Sequence, residues 1–520
     1  MTRSTKVLLV ALSALLAAGI VASLGWRMEH DSPIMLYAGF LAKSAGVVPY
    51  RDLFDMNAPG THILNWVIYS IAGSSDAVLR VIDLVFLGCV AWLTILIMRP
   101  LGRASAWAGA VLFPIAYLQG GAVASLQREA LALVPLVGAV ALFLGVGKRP
   151  RSTRLRYLVV GALVGAAASV KPQLLLALPG LFLADGLAPV EGADGPVGRA
   201  VWVRAARGLG WMALGAVLVG AGLAVWLAAI GALGAFTGIA VHYWPLYTRL
   251  SGDHIVYAGS DRLVYLVRSA LKGLGQFAVW YVAATFAVTS LARAGTLTPA
   301  VRRLLVVLGG VAGATWLATP AAGKFWFYHW LPFIYFSIQL AAACLARPVA
   351  AVYGKRPWVP ATVMLLVVVV TVSLPFDLRR QTRRGLEPPK HGRVDEIADF
   401  LGSNLRPGDR VQPLDWTGGA VHAMLIARAR LATSFIYDFH FYHAVSDAYT
   451  RGLRGRFMGE FTRSAPRYVI MVSGDRPRPM GIDTSQDFPE LRQLLQETYH
   501  AVKSAETYTI LERNAPPPGG

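Results

Sequence analysis

Charge and cysteine are what this 520-residue chain has least of. Only 15% of its residues are Asp, Glu, Lys or Arg, too few to cover the surface of an ordinary soluble enzyme of this length. Acidic residues are the scarcer kind, 29 against 49 basic ones, which leaves a formal charge of +20. The two cysteines, Cys89 and Cys344, both fall inside apolar runs. They offer no disulfide framework and no metal set, and read as small packing residues. There is no CxxC, no Walker loop, no HExxH and no internal repeat, and His30, His242, His254 and His329 are scattered. No metal site and no cofactor are expected, with a divalent-ion requirement left open. The period-two alternation of a membrane β-barrel is also missing. Nucleic acid is excluded as a partner because the basic residues stand between apolar runs rather than along one amphipathic face.

What is present is apolar: 55% of the residues are hydrophobic and the mean hydropathy is +0.51. Apolar segments fall at 6–26, 76–98, 104–118, 126–146, 157–170, 172–187, 208–230, 271–292, 303–318, 330–346 and 359–375. The expected fold is therefore an α-helical polytopic membrane protein of about 11 transmembrane helices. The first segment has the basic start of a signal peptide, but no A-x-A site follows it and further spans do, so it reads as an uncleaved helix. With the N terminus inside, alternate connectors carry Arg99 and Arg103; Lys148, Arg149, Arg151, Arg154 and Arg156; Arg199, Arg204 and Arg207; Arg293, Arg302 and Arg303; and Arg347, Lys355 and Arg356. This is the positive-inside pattern. Segments 157–170 and 172–187 meet at Lys171-Pro172, as two short helices with a cation at the turn. A single interrupted helix there would invert everything downstream, against the loop charges.

Three regions then face the exterior: 27–75, 231–270 and 376–520. In the first, an amphipathic stretch runs to Gly46, and 61–72 is apolar with polar interruptions, too short to span and suited to lie along the interface. The last turns polar and reads as a small α/β domain at 376–513: helix 394–404, a turn at Arg406-Pro407-Gly408-Asp409, strand 410–415, strand 467–472, helix 488–498 and strand 506–513. A Pro/Gly tail, 514–520, is expected to be disordered. The domain division is thus 1–375, 376–513 and 514–520. Asp415-Trp416 and the aromatic and histidine run 435–443 either line an acceptor cleft or dock the domain. His242-Tyr243-Trp244-Pro245 and Asp253-His254 form an aromatic stretch suited either to cover the donor lipid or the acceptor or, as is more common for such residues, to anchor at the interface, and the sequence assigns them no role.

Glu29 and Asp31 flank His30 where the first span returns to water, and charge at a membrane rim is expensive. Further along stand the segment Tyr50-Arg51-Asp52-x-Phe54-x-x-x-x-Pro59, then Gln127-Arg128-Glu129, and then Lys324-Phe325-Trp326-Phe327-Tyr328-His329. With two interfacial helices and an exterior C-terminal domain, these features together resemble the GT-C superfamily of membrane glycosyltransferases. The likeness is to the polyprenyl-phosphate-sugar-dependent group that includes protein O-mannosyltransferases and aminoarabinose transferases. The resemblance implies inverting transfer of a sugar from a lipid phosphate to an acceptor hydroxyl on the exterior face of a bacterial inner membrane, with a glycan, a lipid or a protein as acceptor.

The resemblance maps the family's acidic residue to Asp31, with Glu29 the second choice. A carboxylate there accepts the proton of the attacking hydroxyl. Asp31-Ser32-Pro33 also looks like a helix start, so capping is the plain alternative. Arg51, Arg128, Lys171, Lys324 and His329 fall at exterior ends of spans, where they can balance a leaving phosphate, and Asp52, Asp55 and Glu129 complete the candidate substrate-binding set. Relatives carry a lysine in a Glu-Lys-Pro-Pro segment, for which this chain has Asp55-Met56-Asn57-Ala58-Pro59. The phosphate must therefore fall to another cation. Arg51 and Asp52 also fit a local ion pair, and Lys324 fits an interfacial anchor among aromatics. Lys171 is expected to be a lone cation. A transporter or lipid-linked sugar flippase is the competing function, but it calls for ionisable residues at mid-membrane and symmetric repeats.

The loop charges make a topological prediction. A reporter fused after Thr382 should read as exterior, and fusions at Arg151 or Arg204 as cytoplasmic. A cytoplasmic signal at Thr382 overturns the odd number of crossings.

Overall fold

The computed structural model describes residues 1–146, 152–188, 198–354, 356–373, 378–476 and 478–515. Each apolar segment named above forms helix: Arg3–Ser23, Asp76–Met98, Arg103–Leu118, Arg128–Phe143, Thr153–Val170, Ala177–Leu187, Arg199–Ala229, Ala278–Arg293, Pro299–Ala322, Leu331–Ala342 and Val359–Ser373. Among the described residues, five helices are by themselves long and apolar enough to cross a membrane, or six with a bent pair. The bent pair is Gly259–Gln276 and Ala278–Arg293, which meet at 59°. The segment 271–292 is thus broken at Phe277 rather than continuous. Lys148, Arg149, Arg151 and Lys355 lie outside the described residues, as does most of the expected tail. Asn514, the first residue of that expected tail, donates its N–H to Thr498 O at 2.9 Å.

The chain divides into two compact units, neither contiguous in sequence. The first comprises Met1–Trp26, Arg80–Leu223 and Leu266–Arg384; the second comprises Arg27–Leu79, Ala224–Tyr265 and Gly385–Gly520. The division differs from a cut at residue 375, because the segments between spans fold with the C-terminal part.

The first unit is helical and carries its apolar residues on its surface as well as inside. Val10, Val21, Trp92, Val217 and Leu366 are exposed, the surface of an integral membrane protein. Cys344 is buried as expected of a packing residue, but Cys89 is exposed, because its helix turns that face outward. Helices Thr153–Val170 and Arg199–Ala229 approach backbone to backbone: a Cβ on Gly161 would lie 1.8 Å from Met212 O, and one on Gly215 would lie 2.0 Å from Leu158 O. Small residues at such crossings replace the hydrophobic driving force that lipid removes.

The second unit holds a five-stranded sheet. Numbering all strands in chain order, β1 is Ile255–Val256, β2 Arg410–Leu414, β3 Arg430–Leu431, β4 Tyr468–Val472, β5 Met480–Gly481, β6 Tyr499–Ala505 and β7 Tyr508–Arg513. The main sheet runs β3-β2-β4-β7-β6, parallel across β3, β2 and β4 and antiparallel through β7 and β6, while β1 and β5 pair in parallel apart from it. An aromatic core joins the unit's three chain segments: Phe54 lies 5.2 Å from Tyr243 and 5.4 Å from Phe435, ring centre to ring centre. Phe441, Phe457 and Phe461 extend that core. Tyr243, Phe435 and Phe441 are therefore core, while Asp438 and Tyr442 of the run 435–443 line a cavity within the unit. Helix Asp31–Ser44 is buried from Asp31 through Leu41. Helix Pro59–Ala72 turns Ile63, Trp66, Val67 and Ile71 outward and Thr61, His62 and Asn65 inward, the reverse of a water-facing helix.

The close helix crossing is testable. Gly161→Ala should lower the thermal midpoint of the detergent-purified protein by several degrees. Gly220→Ala, on the same helix pair but with open space around it, should leave the midpoint unchanged or raise it.

Candidate functional site

Within the first unit, Glu129 gathers the charged residues. It stands at the second position of helix Arg128–Phe143, where the helix dipole favours a carboxylate. Glu129 is 2% exposed. Lys171 Nζ lies 2.6 Å from its Oε1, and His329 Nε2 lies 3.3 Å from the same oxygen. Lys171 is placed there because helix Thr153–Val170 ends at it and Pro172 forces a tight turn, Pro172–Leu176, before helix Ala177–Leu187. Lys171 is therefore not a lone cation. His329 sits in a second tight turn, Phe327–Trp330, with its Nδ1 3.0 Å from Lys324 O. Lys324 is 2% exposed, with its ammonium 6.0 Å from the Trp326 ring centre. It does not reach outward as an interfacial anchor would, because the aromatic segment after it folds over it.

Sequence reasoning missed two other buried ion networks in this unit. Arg80 pairs with Asp83, donates to Ser23 Oγ at 2.6 Å and Ser125 Oγ at 3.0 Å, and stacks 4.7 Å over Trp26. Asp83 also accepts from the Tyr117 hydroxyl and, at 3.2 Å, from Leu126 N. Arg303, counted above as a loop charge, lies inside helix Pro299–Ala322 and pairs with Asp185 at 3.0 Å, which accepts from the Tyr157 hydroxyl at 2.7 Å. The available signal was an acid and a base three residues apart inside an apolar run, in the first case.

In the second unit, Asp31 begins helix Asp31–Ser44 and is 8% exposed. The cap position belongs to His30, whose side chain makes no capping bond, so Asp31 is not the N-cap. Instead its Oδ1 lies 2.9 Å from His30 Nδ1. His30 has φ 59° and ψ −116°, a strained conformation for a residue with a side chain and one that concentrates at functional sites. Arg27 anchors the approach through Asp76 at 3.0 Å and Asp395 at 2.8 Å. Glu29 and His30 line a narrow cleft with Lys390, Trp416 and His422. Asp415, named with Trp416 from the sequence, accepts instead from the backbone N–H groups of Trp416, Gly418 and Ala420, which it organises as a turn.

Arg51 and Asp52 form the local ion pair, two hydrogen bonds at 2.9 and 2.8 Å, with Asp52 also accepting from Val48 N at 3.0 Å. Asp55 accepts from Asn57 N at 3.0 Å and Asn57 Nδ2 at 2.7 Å and faces His62 Nε2 at 3.3 Å. Among the described residues no three His, Cys, Asp or Glu side chains are grouped to hold a metal ion.

Burial holds three histidines of this unit neutral. His422 is pushed down to about 4, and His62 and His440 also fall below the usual histidine value, desolvation being the largest cause in each. A base with a lowered folded-state value binds fewer protons than in the unfolded chain. Stability is therefore present above about 6.5 and is lost as pH falls from there toward about 4. The urea midpoint for protease protection of 385–515 should drop between pH 7.5 and 5, and His422→Asn should flatten the drop. An unchanged pH slope in that variant contradicts the assignment.

No family model and no curated protein matches the chain. Solved structures do. ArnT from Cupriavidus metallidurans bound to undecaprenyl phosphate aligns with 15% identity and a TM-score of 0.57 over 97% of this chain and 98% of that one. Its apo state gives 14% and 0.56 over 96% and 97%. Archaeal oligosaccharyltransferase AglB from Archaeoglobus fulgidus is more distant, 11% identical with a TM-score of 0.45 over 89% of this chain and 69% of that one. Along nearly its whole length, the chain shares the fold of ArnT.

Proposed function

We propose that the chain is a GT-C type glycosyltransferase that moves a sugar, with inversion, from a polyprenyl-phosphate donor to an acceptor hydroxyl. In this reading it acts on the exterior face of a bacterial inner membrane. The observation that carries the reading is the end-to-end fold likeness to a protein solved with undecaprenyl phosphate. The buried cations of the first unit supply what such a lipid phosphate requires.

Asp31 takes the acceptor hydroxyl's proton as the new C1–O bond forms, and the bond from C1 to the phosphate oxygen breaks with its electron pair going to the phosphate. The His30 imidazole beside Asp31 Oδ1 fixes the carboxylate. Lys171, Arg128 and Lys324 offset the charge gained by the phosphate, and desolvation makes each such contact stronger than in water. Glu129 and His329 are positioning residues, holding Lys171 and the Lys324 turn. No metal or organic cofactor enters the scheme, in which the lipid-linked sugar is a substrate.

A panel of polyprenyl-phosphate sugars incubated with purified protein tests the reaction: one of them should lose its sugar to yield free polyprenyl phosphate. Asp31→Asn should then lower turnover by roughly 10²- to 10⁴-fold with folding intact. If Glu29→Gln does so instead, the base is Glu29. Lys171→Ala strips the buried Glu129 of its ammonium partner, a folding hazard. The cleaner variant is Lys171→Met with Glu129→Gln, which should raise the donor KM while Lys171→Arg recovers part of the loss. Unchanged donor affinity in a monodisperse double variant removes Lys171 from the phosphate.

A further inference from the structure

The Arg51-Asp52 loop opens, within the second unit, onto a cavity of about 700 Å³ that none of the roles above uses. Five arginines line it: Arg51, Arg410, Arg430, Arg456 and Arg463. Its two acids are already engaged. Asp52 binds Arg51 at 2.8 Å, and Glu460 binds Arg456 at 2.7 Å and Ser434 N at 2.7 Å. Arg410, Arg430 and Arg463 have no acidic partner among the described residues, so the cavity holds three uncompensated cations.

Two details mark this as more than a solvated basic surface. Arg410 and Arg430 are register partners on the parallel strands β2 and β3, and like charges set side by side on adjacent strands destabilise a sheet. Ser434 lines the same cavity at 5% exposure, and its hydroxyl has no hydrogen-bond partner among the described residues, although its N–H serves Glu460 and its carbonyl accepts from Phe54 N at 2.7 Å. A repulsive cationic pair beside an orphaned buried hydroxyl is what an oxyanion satisfies: guanidinium forks take its oxygens in pairs, and the hydroxyl donates to a third. The volume suits one or two sugar rings, within the usual range for ligand pockets.

We propose that this cavity is an anchoring subsite for an acidic sugar of the acceptor glycan, holding its carboxylate or phosphate away from the hydroxyl that reacts. The proposal rests on the transferase reading for the word acceptor, but its test is a binding measurement that needs no turnover. Full-length protein in phosphatidylcholine nanodiscs is titrated with glucuronate, glucose 6-phosphate and, as the neutral control, glucose.

The acidic sugars should bind and weaken with added salt, and glucose should not bind. Arg410→Gln with Arg430→Gln should weaken acidic-sugar binding by about 10-fold or more and remove most of the salt dependence. Its thermal midpoint should rise, since the like-charge pair is relieved. Ser434→Ala should weaken binding by about 5-fold. Equal affinity for glucose, or unchanged affinity in the folded double-arginine variant, overturns the subsite. So does displacement of the acidic sugars by phosphatidylglycerol in the nanodisc, which makes the cavity a lipid-headgroup site. Polyprenyl-phosphate binding on the same samples separates the two readings. Donor binding without acidic-sugar binding overturns the subsite alone, and acidic-sugar binding without donor binding overturns the transferase assignment and leaves the anion site.

Discussion

A charge withdrawn from water among apolar helices has to find an opposite charge, and the first unit is organised by that requirement. Arg80 and Asp83 are each 2% exposed, as are Glu129 and Asp185. Breaking one partner of such a pair costs about 3–5 kcal/mol, so each pair locks the elements that carry it. Asp185 ties helix Ala177–Leu187 to Pro299–Ala322 through Arg303 and to Thr153–Val170 through Tyr157. Arg80 reaches Ser23 at the end of the first helix and Ser125 ahead of the helix Arg128–Phe143. Arg80 balances Asp83 and Arg303 balances Asp185, while Glu129 gathers Lys171 and His329.

The sequence was most legible where one physical rule acts alone. Apolar runs of span length became helices because lipid-exposed backbone has no other way to satisfy its hydrogen bonds. Pro172 fixed the break at Lys171, and alternation located β2, β4 and β7. What escaped notice depends on tertiary context. β6, Tyr499–Ala505, is an edge strand with a mostly exposed face, so it lacks an apolar pattern. Helix Ala448–Ser464 is rich in Gly and Arg and shows its core only as Leu453, Phe457 and Phe461, four residues apart. Glu129 and its partners Lys171 and His329 come from three places in the chain, and no local spacing announces them. Asp31 was legible as a residue, but its neighbour's strained backbone was not, since a positive φ at a histidine leaves no trace in composition.

In the second unit the segments between spans pack together with the C-terminal part. Tyr243 is fully buried, with its hydroxyl shared between His440 and, at 3.3 Å, His443. Read along the chain, His242-Tyr243-Trp244-Pro245 has the composition of a membrane-surface anchor. Folded, Tyr243 joins a cluster with Phe54 and Phe435 that draws on all three segments of the unit. Aromatic residues serve both purposes, and only the partner decides between them.

That cluster also bears on how firmly Asp31 is held. The helix it begins is buried over its first three turns, and Tyr37 on that helix donates to Ala429 O at 2.8 Å, pinning it to the C-terminal part of the unit. Arg27, four residues ahead of Asp31, binds two acids, and His30 contacts the Asp31 carboxylate. A backbone conformation as unfavourable as that of His30 costs of order 1–3 kcal/mol and persists only where the surroundings leave no alternative. Helix burial, the double ion pair and the Tyr37 bond together remove those alternatives. A carboxylate fixed in this way loses little freedom when a substrate arrives. Rigidity of the supporting shell, rather than acidity or order in the sequence, is therefore the physical ground for proposing Asp31 as the base.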